Sequence, residues 1–254
     1  MRKSVSDGVL TLTLDRPEQY NALTREEMVA FSRSVRAAQD DASVRLIVLD
    51  HDGTAFCAGL DLGLAETLAG SPSEAEATID AANDVVRAIL ASPKPVVALL
   101  RGPVVGVAVS IALAADLTVC GEDAYFNLVF TKIGLMPDGG ATEIVAASIG
   151  RAKAMRMALL AAPLSAAEAA QAGLVTHFVP GPNFDEEASR VVAQVVRGPV
   201  EAIARTKSAI NAATLAGLDS AFSRERAGQL RLLTSADFLE GTEAFRERRH
   251  PEFD

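Results

Sequence analysis

The apolar residues of this chain change their period several times, and each change marks an element. Residues 9–14 (VLTLTL) alternate as a half-buried strand that grows out of the alternating start MRKSVSDG. Thr24 followed three positions later by Glu27 makes a capping box, because each side chain can satisfy a free backbone amide; the helix it opens runs to about Asp40. Residues 44–49 (VRLIVL) read as a short apolar strand, ended by the polar cluster Asp50-His51-Asp52-Gly53. Ser73 with Glu76 opens a second helix, which ends before Pro93. Residues 95–100 then read as a buried strand, and 106–115, apolar on every side, as a buried helix. Leu117-Thr118-Val119 and Tyr125-Phe126 are further short strands, helices follow at 139–148 and 151–161, and 175–179 is a last strand. From about Phe184 the pattern is wholly helical, with charges such as Arg224, Glu225 and Arg226 interleaved with apolar positions.

Strands alternating with helices predict an α/β fold with parallel pairing and helices on both sheet faces. The helical tail has no strand to pack on, which divides the chain into a core of residues 1–195 and a C-terminal helical region, 196–254, acting as a separate layer or an oligomer contact. Gly70-Ser71-Pro72-Ser73 is the most loop-like internal stretch. Residues 95–119 are the most apolar, but Arg101, Gly102, Pro103 and Asp116 interrupt them too often for a membrane span. The start lacks the long apolar run of a signal peptide, so a soluble cytoplasmic protein is expected.

Composition narrows the partners. Apolar residues make up 49% of the 254 and charged ones 22%, ordinary for a globular protein. With no Trp and two Tyr there is little material for an aromatic nucleic-acid surface, and a net charge of −9 removes the electrostatic case for nucleic acid or an anionic membrane. A polyanionic ligand would have to be met locally, by helix N-termini or a few placed cations. Cys57 and Cys120, far apart in apolar settings, read as buried free thiols. His51, His177 and His250 have no metal-ligating spacing, so no metal site is expected.

Candidate chemistry lies in two glycine-containing segments that follow strands: FCAGLDL at 56–62 and RGPVVGV at 101–107. Glycine there either makes a plain turn or lets backbone approach a ligand closely. In the second case, free amides around Gly59-Leu60 and Gly106-Val107, one of them at a helix start, would polarise a carbonyl oxygen as an oxyanion hole.

Four ordered motifs carry a resemblance. RPEQYNAL at 16–23, FCAGLDL, the 95–116 segment and IGLMPDGG at 133–140 together closely resemble the crotonase (enoyl-CoA hydratase/isomerase) superfamily, over nearly the whole chain. The resemblance implies a crotonase (ClpP-like) spiral of ββα units, a C-terminal helical trimerisation region, a homotrimer or dimer of trimers, and an acyl-CoA thioester ligand. Coenzyme A would be part of that substrate, with no separate cofactor. The oxyanion amides would fall on Leu60 and Val107, with Gly59 and Gly106 beside them. Backbone near Ala22 and Ala58 would meet adenine, and Arg16 and Lys207 are the cations offered for phosphate.

The chain departs from the hydratase pattern at both proton-handling positions. The two glutamates that hold and activate water in hydratases fall on Ser110 and Phe130, neither of which is a base at neutral pH. The remaining carboxylate is Asp138, where similar acyl-CoA isomerases carry their acid/base aspartate; dehalogenases use an aspartate there too, but with a Trp this chain lacks. Asp138 has a second reading, as the N-cap of the helix that follows. Ser110 reads as a packing residue hydrogen-bonded to the turn before it or as a substrate-positioning group, Asp61 as a helix N-cap, and Asp116 as structural. Glu143 reads as solvent-facing or at the edge of the acyl pocket, and the 62–73 segment as its lining. The expectation is a double-bond isomerase of fatty-acid or aromatic-acid catabolism; the alternatives are a hydratase in family name only, and a non-catalytic acyl-CoA binder.

Overall fold

Asp7 and Gly8 both take positive φ, 51° and 81°, so the alternating start is two strands rather than one. An Asp-Gly pair with positive φ at both positions makes the tight turn whose twist suits a hairpin. In the computed structural model, which describes residues 1–253, β1 (Arg2–Ser6) accordingly pairs antiparallel with β2 (Val9–Leu14). The capping box forms as expected: Thr24 accepts from Glu27 N, the Glu27 carboxylate accepts from Thr24 N, and α1 (Arg25–Gln39) follows.

After β3 (Leu46–His51) the chain forms α2 (Ala65–Gly70) and α3 (Pro72–Ala91). The expected loop at residues 70–73 is only a cap between these helices. Ser71, not Ser73, accepts from Glu74 N, and Pro72 takes the first helical position, where a missing N–H costs nothing. Next come β4 (Val96–Leu100), β5 (Pro103–Val105), α4 (Val107–Leu113), β6 (Leu117–Gly121) and β7 (Tyr125–Asn127). α5 (Ala141–Leu160) is broken at Gly150 (φ 77°, ψ 158°), matching the two helices read there. β8 (Leu164–Ser165), α6 (Ala166–Ala172) and β9 (His177–Val179) lead into α7 (Phe184–Val196), α8 (Val200–Thr214), α9 (Leu218–Leu232) and α10 (Ala236–Glu247).

The large sheet has the order β1-β2-β3-β4-β6-β9 and is parallel beyond its first pair; β5-β7-β8 form a small second sheet. The connection repeats. β4 is followed by β5 and α4, β6 by β7 and α5, and β3 by a segment in which Cys57 bridges Val104 of β5 before α2 and α3. Each turn thus gives a strand to each sheet and then a helix, which is a spiral of ββα units.

Alternation along β3 serves two cores. Ile47 and Leu49 face the main cluster with Met28, Phe31 and Val35 of α1 and Val85, Val86 and Ile89 of α3. Leu46 and Val48 face the other way, onto Phe184, Ala188 and Val191 of α7. Helices therefore cover both faces, as the alternation of strands and helices requires. Phe222 of α9 and Phe238 of α10 are buried in the main cluster, so these C-terminal helices pack directly over α3 and the 129–133 turn.

Candidate active site

The two glycine-containing segments run side by side. Phe56 N donates to Arg101 O (3.0 Å), Cys57 N to Pro103 O (3.1 Å) and Val105 N to Cys57 O (3.0 Å). Just past this ladder Gly59 (φ 92°) meets Gly106 (φ 61°). A Cβ on Gly59 would sit 2.8 Å from the Val105 carbonyl oxygen and 3.5 Å from Gly106 Cα. Backbone rests on backbone there, in conformations that side chains rarely adopt.

The amide after each glycine is the free one. Gly106 N donates to Asn127 O (2.9 Å), whereas Val107 opens α4 and its N–H has no intrahelical carbonyl to reach. Leu23 N donates to Gly59 O (2.7 Å) and Asp61 N to Leu23 O (3.0 Å), which turns the intervening Leu60 N–H to the opposite side. Leu60 and Val107 line one cavity of about 70 Å³, together with Ala58, Gly106, Phe130 and Asp138. Ala58 N donates to Tyr20 O, docking the 16–22 turn against the first segment, but Ala22 itself lies outside the cavity lining.

Asp138 is held without being used as a cap. Its carbonyl accepts from Ser110 Oγ (2.8 Å), and its Oδ2 accepts from Gln229 Nε2 (2.8 Å). Oδ1 is shut away from solvent with no hydrogen-bond partner. Burial pushes the carboxyl pKa up to about 7; the Gln229 hydrogen bond opposes this and the Glu225 charge adds to it. The cap reading of Asp138 is corrected here, because Glu225 caps α5 instead, accepting from Gly140 N (2.7 Å), Thr142 N (2.9 Å) and Thr142 Oγ1 (2.5 Å).

Other expectations are sorted by the same geometry. Ser110 is fully buried but bonds to the Asp138 loop, not to the turn before it. Phe130 places its ring 4.0 Å from where a Gly106 Cβ would stand. Asp61 accepts from Gly63 N (3.0 Å) at the start of a short helical turn, and Asp116 accepts from Val96 N (2.7 Å). Neither cation offered for phosphate is free: Arg16 pairs with Glu27 (2.8 Å) and Asp61 (3.2 Å), and Lys207 is buried against Asp116 (2.9 Å). Glu143 lies against Gly217, away from the cavity. Of the 62–73 segment only Leu62 lines the cavity; Thr78, Ile79 and Ala82 of α3 and Val129, Phe130 and Ile133 of the 129–133 turn contribute more of its wall. Cys57 and Cys120 are buried free thiols, each pushed up to about 12 by burial.

Glu225 and Gln229 are the residues that sequence reading missed. Both are 1% exposed, one helical turn apart on α9, and they continue the buried stripe of Ala221 and Phe222. Polar residues within a buried stripe were the available signal.

The family model described as "Enoyl-CoA hydratase/isomerase" matches residues 4–254. A Rhodobacter capsulatus protein named "Probable enoyl-CoA hydratase" is 37% identical, with 100% of this chain and 97% of the relative aligned. The "1,2-epoxyphenylacetyl-CoA isomerase" of Escherichia coli K12 is 32% identical over 98% of this chain and 96% of its own. The crystal structure of an enoyl-CoA hydratase from Mycobacterium avium subsp. paratuberculosis K-10 superposes with a TM-score of 0.92 at 45% identity, covering 100% of this chain and 98% of that one.

Proposed function

Because the chain belongs to the enoyl-CoA hydratase/isomerase family and has its crotonase fold, we propose that it moves a double bond within an enoyl-CoA thioester. The observation that carries this reading is that, among the described residues, Asp138 is the only ionisable side chain lining the cavity that Leu60 and Val107 share. The thioester oxygen accepts from the Leu60 and Val107 amides, which favours negative charge on that oxygen and acidifies the α-carbon. The Asp138 carboxylate takes the α-proton from a 3-enoyl-CoA, and the electron pair delocalises through the double bond as a dienolate. The same carboxyl returns the proton at the γ-carbon, leaving the 2-enoyl isomer.

One carboxylate suffices for that shuttle. Hydration needs a further group to activate water, whereas the Ser110 hydroxyl is committed to a carbonyl and Phe130 is hydrocarbon. A pKa near 7 suits a group that must both take and give a proton. The hydratase names of two relatives favour a second reading, in which water adds by a route that uses Asp138. We also propose that exposed apolar side chains such as Phe245 and Ile210 in the C-terminal helices are covered in a homotrimer or dimer of trimers; sedimentation mass tests it.

The deciding experiment incubates 3-enoyl-CoA and 2-enoyl-CoA with wild type and with Asp138→Asn. Isomerisation by wild type, lost in the variant, supports the proposal. Rapid hydration of crotonyl-CoA by wild type overturns the preference for isomerisation, and binding without turnover makes the chain an acyl-CoA binder.

A further inference from the structure

We propose that Gln229 and Glu225 of α9 are positioning residues for Asp138. Gln229 aims its carboxylate, and Glu225 takes over the helix cap that would otherwise turn it away. The inference rests on the reading of Asp138 as the proton-transfer base.

Gln229 uses both ends of its amide. Oε1 accepts from Met136 N (3.2 Å) and Nε2 donates to Asp138 Oδ2 (2.8 Å). The Met136 N–H dictates which end is which, since only the carbonyl end can accept from it. With Oδ2 held, Oδ1 remains buried without a partner on a residue that lines the cavity, so it is the oxygen left for a substrate proton.

Glu225 acts one helical turn earlier. Gly139 and Gly140 stand between Asp138 and α5, and a carboxylate there normally bonds the first free amides of the helix. A carboxylate held by backbone amides is a weak base. Glu225 occupies those amides and the Thr142 hydroxyl instead, reaching across 85 residues of sequence. The two side chains also act on Asp138 in opposite senses: the Gln229 N–H stabilises its charged form, and the negative Glu225 destabilises it.

Among the described residues no other charge faces the carboxyl from the elements around it. α4 presents Val107 and Ser110, α3 presents Thr78 and Ile79, and the 129–133 turn presents Val129 and Phe130. Arg224 acts on Glu225 and so only indirectly on Asp138.

The test is the pH profile of 3-enoyl-CoA isomerisation, from about pH 5 to about pH 9, for wild type, Gln229→Met, Gln229→Glu and Glu225→Gln. Gln229→Met removes the donor at similar volume. The acid-side midpoint of kcat/KM is expected to move up by about half a pH unit or more, with kcat near pH 7 down roughly tenfold and KM within about twofold. Gln229→Glu, which sets a second carboxyl against the first, moves the midpoint further up, and Glu225→Gln moves it down. A midpoint within about 0.2 of wild type in both Gln229 variants, or one moving the same way in Gln229→Met and Glu225→Gln, overturns the proposal. If wild type does not isomerise, the isomerase reading fails by itself. The positioning is then read from a carbon-13 titration of the Asp138 carboxyl in the free protein, where an unmoved midpoint in Gln229→Met overturns it.

Discussion

Ser110 Oγ donates a 2.8 Å hydrogen bond to the backbone carbonyl of Asp138, tying the buried helix α4 to the loop that carries the cavity's carboxylate. Ser110→Ala removes this donor and leaves the carbonyl only the Ala141 N–H at 3.2 Å, at a cost of about 1 kcal/mol. Isomerase kcat is expected to fall several-fold with KM little changed, because the loop loosens while the amides stay. Ser110→Glu, which puts the hydratase-type residue at this position, has no room: Ser110 is fully buried, with Gly139 packed against it. Overpacking of this kind lowers stability. The expected result is a lower Tm and no gain in crotonyl-CoA hydration, since Phe130 still cannot hold a water.

The contact of Gly59 with the 105–106 backbone predicts a sharper failure. Gly59→Ala places a methyl 2.8 Å from the Val105 oxygen at a φ of 92°. Strain plus clash is expected to destabilise the fold by about 2 kcal/mol or more. Separation of the two segments also breaks the amide pair, so residual soluble protein should bind acyl-CoA weakly and turn it over at least about 100-fold more slowly. Thermal melts and single-turnover assays read the two effects separately.

Activity and stability are expected to run in opposite directions with pH. The Asp138 pKa is raised from 3.8 to about 7 on folding. Between those values the folded protein holds a proton that the unfolded chain has lost. Stability from this group is therefore complete below about pH 4 and is lost as pH rises through 7. The proposed isomerisation instead requires the carboxylate, so kcat/KM is expected to rise through the same interval and level above it. Asp138→Asn removes the charge and should be more stable than wild type near pH 8 by on the order of 1–3 kcal/mol, with the gap shrinking toward pH 5. Denaturant unfolding at the two pH values measures it; a gap of the same size at both would remove the buried carboxylate as its cause.

What the sequence made legible was local. Thr24 and Glu27 are three residues apart, and a capping box needs nothing beyond that spacing. β3 could be read as a short apolar strand because its alternate residues serve two different cores, which leaves an apolar run. The amides proposed for the oxyanion belong to backbone and leave no side-chain signature of their own; the glycines beside them and the order of motifs around Gly59 and Gly106 were the pointers. The fate of Asp138 was out of reach for a different reason. The residues that decide it, Glu225 and Gln229, lie 87 and 91 positions away along the chain, on a helix whose approach no local pattern specifies. The Ser71 cap ahead of Pro72 and the hairpin at Asp7-Gly8 are local features whose turn signals stand in the sequence.

Lys207 is expected to matter for folding and not for the ligand. It is the one residue of α8 that is buried, on a helix spanning a groove of about 650 Å³. Its ammonium meets Asp116 at 2.9 Å and also donates to the Ile89 carbonyl at 2.8 Å. Burial lowers the Lys207 pKa and raises that of Asp116, the mark of a pair that loses solvation and keeps its charge through mutual attraction. Lys207→Ala leaves Asp116 sheltered without its cation, and about 3–5 kcal/mol of stability should go with it. Lys207→Met together with Asp116→Asn should recover most of that loss, since no unpaired charge remains. Folded Lys207→Ala should bind acyl-CoA with unchanged affinity, because the ammonium is spent inside the fold. A Kd weakened about tenfold or more in folded protein would instead return Lys207 to the phosphate role that its sequence position suggested.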